Sequence, residues 1–119
     1  MSISQTITRA PRVFLAEACP RYDVSTAREF GEIVELVNGS LNPFTTERLI
    51  SEVRSAIAKH DFNPDVDYFC LTGYALTTAM VLAVLADECG CLKVLMFDAR
   101  LGQYKERILN LENSNVPLG

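Results

Sequence analysis

Thr72-Gly73, with Tyr74 after it and Thr77-Thr78 three residues further on, is the stretch of this chain best suited to hold an anion. Hydroxyls and unpaired N–H groups in the first turn of a helix donate hydrogen bonds, and the helix dipole favours negative charge there. Glycine lets a ligand approach the backbone closely. The pattern is neither GxGxxG nor GxxxxGK followed by Ser or Thr, so neither the dinucleotide fingerprint nor the P-loop is present. A strand-to-helix turn also needs a glycine without any ligand. Arg21-Tyr22-Asp23 is a second candidate group. Arginine forks onto phosphate, tyrosine stacks on a base, and aspartate accepts from ribose hydroxyls. The same three residues equally read as a surface loop in which Asp23 caps a short helix. Arg100, just beyond Asp98, adds a cation at a third position.

The inventory for catalysis is thin. His60 is the single histidine and falls near the end of a helical stretch, where capping is the commoner role. No Ser-His-Asp or Cys-His arrangement can be assembled around it. Glu17, Asp23 and Asp98 are the carboxylates available for acid–base work or metal-assisted hydrolysis. Of Cys19, Cys70, Cys89 and Cys91, Cys70 lies in an apolar run and reads as a small core residue. Cys89-Gly90-Cys91 has the wrong spacing for a zinc half-site and no second half, so neither a metal nor a cofactor is expected.

These residues need elements to position them. Arg12–Ala18 reads as a nearly continuous apolar strand, and Ser25 or Thr26 as the cap of a short helical turn through Phe30. Gly31–Val37 reads as an edge or half-exposed strand closed by Asn38-Gly39. From Thr45 or Thr46 to His60, Leu49, Ile50, Val53, Ala56 and Ile57 share one helical face. Asp67–Thr72 suits a central strand, 75–88 a long helix, Leu92–Asp98 a further strand, and Tyr104–Leu111 its hairpin partner. Strand, helix and strand from Asp67 to Asp98 predict a right-handed parallel crossover.

The expected fold is therefore α/β: a small Rossmann-like sandwich of two or three layers. It has about five strands in a mixed sheet, a β-α-β core and a C-terminal β-hairpin. Ligands bind at the carboxyl ends of such strands, where Glu17 to Asp23, Thr72 to Thr78 and Asp98 to Arg100 converge. Helix 75–88 is apolar nearly all round, which one sheet face cannot cover, so self-association through it is expected.

The 119 residues make one domain, 12–111, with an N-terminal arm 1–11 and a tail 112–119. Net charge is −4, and no Lys/Arg cluster supplies the basic stripe that duplex nucleic acid requires. No apolar run reaches the roughly 18 residues of a membrane span, and the polar start lacks a signal-peptide core. A cytoplasmic protein with a small anionic, nucleotide-like ligand is the expectation.

Tyr22-Asp23, Phe30-Gly31-Glu32-Ile33-Val34, Leu71-Thr72-Gly73 and the Lys93 to Tyr104 hairpin occur in an order that resembles small uncharacterised bacteriophage open reading frames of α/β type, over residues 13 to about 109. The resemblance implies a phage origin and brings no established activity. Several unrelated small oligomeric phage proteins sequester nucleotide signals of bacterial immunity. By that analogy the chain is expected to be a homo-oligomeric binding protein for a phosphate-bearing ligand, a cyclic or ADP-ribose-type nucleotide. The alternatives are a nucleotide-hydrolysing enzyme using the rim carboxylates, and a module whose apolar helix or hairpin docks on a host or phage protein.

Overall fold

The computed structural model of the chain describes residues 9–17, 23–37, 46–72 and 75–111. In chain order the elements are β1 (Arg12–Glu17), a 3-10 turn (Ser25–Glu29), β2 (Glu32–Val37), α1 (Thr46–His60), β3 (Tyr68–Cys70), α2 (Ala75–Glu88), β4 (Cys91–Asp98) and β5 (Gln103–Asn110). They form one five-stranded sheet of order β2-β1-β3-β4-β5. The first four strands are parallel, and β5 returns antiparallel to β4. This is an α/β fold with a β-α-β core and a C-terminal hairpin.

Strand β1 lies between two parallel neighbours and is apolar on both faces, as a central parallel strand must be. Its Phe14 and Ala16 join Phe69, Leu92 and Val94 on the face covered by α1 and α2, here called the front. Val13 and Leu15 point to the back, with Cys70, Leu95 and Tyr104, where Ala27 of the 3-10 turn packs on them. Helix α1 buries Leu49, Val53 and Ile57, half-buries Ala56 and leaves Ile50 36% exposed, so Ile50 sits at the margin of the predicted face. Each full burial of such a side chain stabilises by about 1.5–3 kcal/mol. That outweighs the exposed ion pairs joining Arg54 of α1 to Asp87 and Glu88 of α2 at 3.1 and 2.8 Å, since exposed pairs contribute about 0–1 kcal/mol. Helix α2 buries Val81, Val84 and Leu85, and leaves Ala75, Leu76, Ala79 and Ala83 exposed.

Helix α1 ends in a Schellman motif. Asp61 takes φ 57°, its N–H donates to the Ala58 carbonyl at 3.2 Å, and the Phe62 N–H donates to Ile57 at 3.3 Å. The remaining carbonyls are met by arginines from the start of β1. Arg12 donates to the His60 and Asp61 carbonyls, and Arg9 to that of Asp61. Both guanidiniums converge on Asp67, which is wholly buried immediately before β3. Asp67 also accepts the N–H groups of Arg12 and Asn63 at 3.0 and 2.8 Å. Its own N–H donates to the Asn63 carbonyl at 2.7 Å, which takes its backbone out of the ladder. The predicted strand from Asp67 to Thr72 accordingly narrows to Tyr68–Cys70, although the Leu71 N–H still reaches Leu95.

Neither Ser25 nor Thr26 caps the 3-10 turn. Its N-cap is Val24, and the Asp23 carboxylate accepts the Ser25 N–H at 2.9 Å. An aspartate two residues before the turn reaches that donor by an Asx bond, which a hydroxyl inside the turn cannot do. Asn63 makes the same kind of bond to the Asp65 N–H.

Candidate functional site

The 2-1-3-4-5 strand order is that of flavodoxin-like doubly wound sheets. From β1 the chain crosses to β2 over the back, through the 3-10 turn. From β3 it crosses to β4 over the front, through α2. Adjacent strands whose connections leave to opposite faces open a crevice at their carboxyl ends. Here that switch point lies between Glu17, the last residue of β1, and Thr72, just beyond β3.

A small polar cluster lies on the back face at and beyond the end of β3. The Thr72 hydroxyl and the Tyr104 phenol share a 2.8 Å hydrogen bond across β4. The buried Cys70 thiol lies beside both. Burial pushes that thiol above its ordinary value, so it is a core group and a poor nucleophile. Burial likewise pushes the Tyr104 phenol up to about 12, and nearby Asp23 is among the charges that raise it. Asp23 itself is exposed and held below the usual carboxylate value by the Ser25 N–H. Thr72 and Tyr104 are thus bonded across β4, and the Asp23 charge acts on the phenol from a third segment.

Of the predicted ligand residues, Thr72 bonds Tyr104, Asp23 lies near enough for its charge to act on that phenol, and Thr77 and Thr78 stand in the first turn of α2. The Thr78 hydroxyl is enclosed and has no hydrogen-bond partner among the described residues. Arg100 lies apart on the hairpin tip. Its side chain is 89% exposed, with Nε 3.6 Å from Asp98. Arg21, Tyr22, Gly73 and Tyr74 lie outside the described residues, as does Cys19. Sequence reasoning placed Tyr104 only at the start of the hairpin partner. Its place beside Thr72 follows from the Phe97↔Tyr104 register, which no local pattern reveals.

The other candidates for chemistry are dispersed. His60 sits at the opposite end of the sheet, its ring edge-on to Phe14 at 6.2 Å. Asp98 is engaged by Arg100 and Lys105 and accepts the Arg100 N–H. Among the described residues, no three His, Cys, Asp or Glu side chains gather closely enough to hold a metal. No described helix is long and apolar enough to cross a membrane.

The Thr72–Tyr104 bond has a measurable signature. Tyr104→Phe should cost about 1 kcal/mol, the typical worth of one such bond. The raised phenol value means that stability is fully present below the ordinary value of 10.0 and is lost as pH rises toward 12. Denaturant melts at pH 9 and 11.5 should show wild type losing more stability than Tyr104→Phe. Parallel losses would show that this phenol is not the protected group.

The fold defines a small α/β protein with a parallel four-stranded core, an antiparallel outer strand and a switch point between β1 and β3. Residues 7–111 match the family described as phage Pam3 gp32-like protein, and the chain belongs to that phage protein family. No curated protein and no solved structure matches it.

Proposed function

We propose that this protein is a binding module that holds a small phosphate-bearing ligand of the nucleotide class at the carboxyl rim between β1 and β3. The observation that carries the reading is the switch point itself. Thr72 follows β3 there and α2 begins beyond it, at the carboxyl rim where open α/β sheets bind ligands. In this reading Thr72, Thr77 and Thr78 donate to phosphate, Asp23 accepts from a sugar hydroxyl or base edge, and Arg21 supplies positive charge. The Thr78 hydroxyl, unpartnered among the described residues, favours it, because an enclosed polar atom without a partner is costly unless something bonds to it.

Holding is favoured over turnover, since His60 is remote from the rim and the Cys70 thiol is buried and protonated. Membership of a phage family fits sequestration of a cyclic or ADP-ribose-type host signal in the cytoplasm. The exposed Ala75, Leu76, Ala79 and Ala83 of α2 would then serve self-association.

A thermal-shift screen against nucleotides, with each hit recovered by chromatography, tests this. Ligand at 100 times its Kd adds about 2.7 kcal/mol of stability, and Thr72→Val or Asp23→Ala should abolish the shift. Intact recovered ligand supports binding, whereas a converted one identifies an enzyme using Glu17, Asp23 or Asp98. No shift across the panel sinks the nucleotide reading.

A further inference from the structure

Seven large hydrophobic side chains are exposed among the described residues. Five of them, Met96, Phe97, Leu101, Ile108 and Leu111, lie on or directly after the β4–β5 hairpin, 41–63% exposed. Single exposed apolar side chains are ordinary, but their concentration on one element marks an interaction surface. Strand β5 is eight residues long and is the outermost strand on its side of the described sheet.

The exposure falls on both faces of that strand. Ile108 shares the back face with Tyr104 and Glu106, while Lys105 and Arg107 stand on the front. On the front, Met96, Asp98, Arg100, Lys105 and Arg107 line an open cavity of about 280 Å³. A partner lying flat on one face would leave the other face bare. A strand added at the edge of β5 covers both, because its side chains alternate between them.

Charge selects the kind of strand. From Cys91 to Leu111 there are four cationic residues against two anionic ones, in a chain whose net charge is −4. Asp98 holds Arg100 and Lys105 only loosely, at 3.6 and 3.7 Å. The described hydrogen bond of the Arg107 side chain goes to the neighbouring Glu106 carbonyl. A second copy is a poor occupant. Two-fold antiparallel pairing of β5 with itself, centred on Lys105, Glu106 or Arg107, sets like charges directly opposite each other.

We propose that β5 is a docking edge for an extended segment of another protein in which acidic and apolar residues alternate, the acidic ones meeting Lys105 and Arg107 and the apolar ones Ile108. This inference is independent of the ligand reading at the rim.

The test uses the full chain and an acetylated peptide of alternating Glu and Val, as long as β5, with an Arg-Val peptide as control. In heteronuclear NMR the acidic peptide should shift the Gln103–Asn110 amides and slow their exchange. Its affinity should fall with added salt, and Lys105→Glu with Arg107→Glu should weaken it by about tenfold or more. Neither substitution touches the sheet interior, and an unchanged amide spectrum elsewhere confirms the fold. Absence of binding at millimolar peptide would overturn the proposal, as would equal binding of the basic peptide or shifts confined to the Thr72 rim. Finding the free protein already oligomeric through protected β5 amides would also overturn it and make a second copy the occupant.

Discussion

Asp67→Ala is expected to destabilise the fold by about 4 kcal/mol, the range found when one partner of a buried ion pair is removed. The side chain is 0% exposed and accepts Arg9 twice at 2.6 Å, together with the backbone N–H groups of Arg12 and Asn63. Its loss leaves Arg12, which also stacks over the Phe14 ring at 4.9 Å, without its counter-charge. It also releases the junction between the end of α1 and the starts of β1 and β3. Burial alone would push the Asp67 carboxyl up, but the bonds from Arg9, Asn63 and Arg12 prevail and hold it below its ordinary 3.8. A depressed native value stabilises the fold above pH 3.8, and that contribution is lost as pH falls through the native value. Urea unfolding of wild type and Asp67→Asn should therefore show a gap that is widest near neutrality and closes in acid. A gap that persisted undiminished to pH 2 would remove the carboxylate charge as its source.

Gly31→Ala should cost about 3 kcal/mol, from overpacking and backbone strain together. Gly31 immediately precedes β2 with φ +156°, pressed against the backbone of Pro11 and Arg12 at the entry to β1. A Cβ there would lie 2.8 Å from the Pro11 carbonyl carbon and would overlap its oxygen. That clash is with backbone, which cannot swing aside as a side chain can. Gly102 in the β4–β5 turn provides the internal control. It has φ +66°, and a methyl group at its Cα would meet nothing within 4 Å, so Gly102→Ala carries only the left-handed penalty of about 1 kcal/mol. Chemical denaturation of the two variants gives the comparison. Equal losses would mean that β2 yields at its start and that the close approach is not rigid.

Local sequence signals carried much of the architecture. The apolar period of Leu49, Val53 and Ile57 marked α1, and the run from Val13 to Ala16 marked a strand buried on both faces. The successive runs Leu92–Asp98 and Tyr104–Leu111 marked the hairpin, whose turn the Asp98 carbonyl closes by accepting the Leu101 and Gly102 N–H groups. The same signals misplaced Ile50, because one residue of helical phase lies below their resolution, and they left the cap of the 3-10 turn between Ser25 or Thr26 and Asp23, of which Asp23 makes the bond. Half of the candidate site was legible as well. Thr72 and the first turn of α2 were visible because a strand-to-helix junction with small polar residues has a local signature. Tyr104 and Asp67 were not, because their partners lie 32 and 58 residues away.

By itself, then, the sequence determined the kind and approximate extent of the elements, the α/β class and the absence of the common phosphate-binding and triad motifs, since each depends on side-chain chemistry and spacing within one segment. Tertiary structure alone decided the strand order that sets the switch point between β1 and β3, the pairing of Thr72 with Tyr104, the burial of Asp67 between two arginines, and the exposure of the hairpin edge. Parallel strands join through backbone hydrogen bonds that any apolar strand can make, so the choice of neighbour rests on how the whole chain packs.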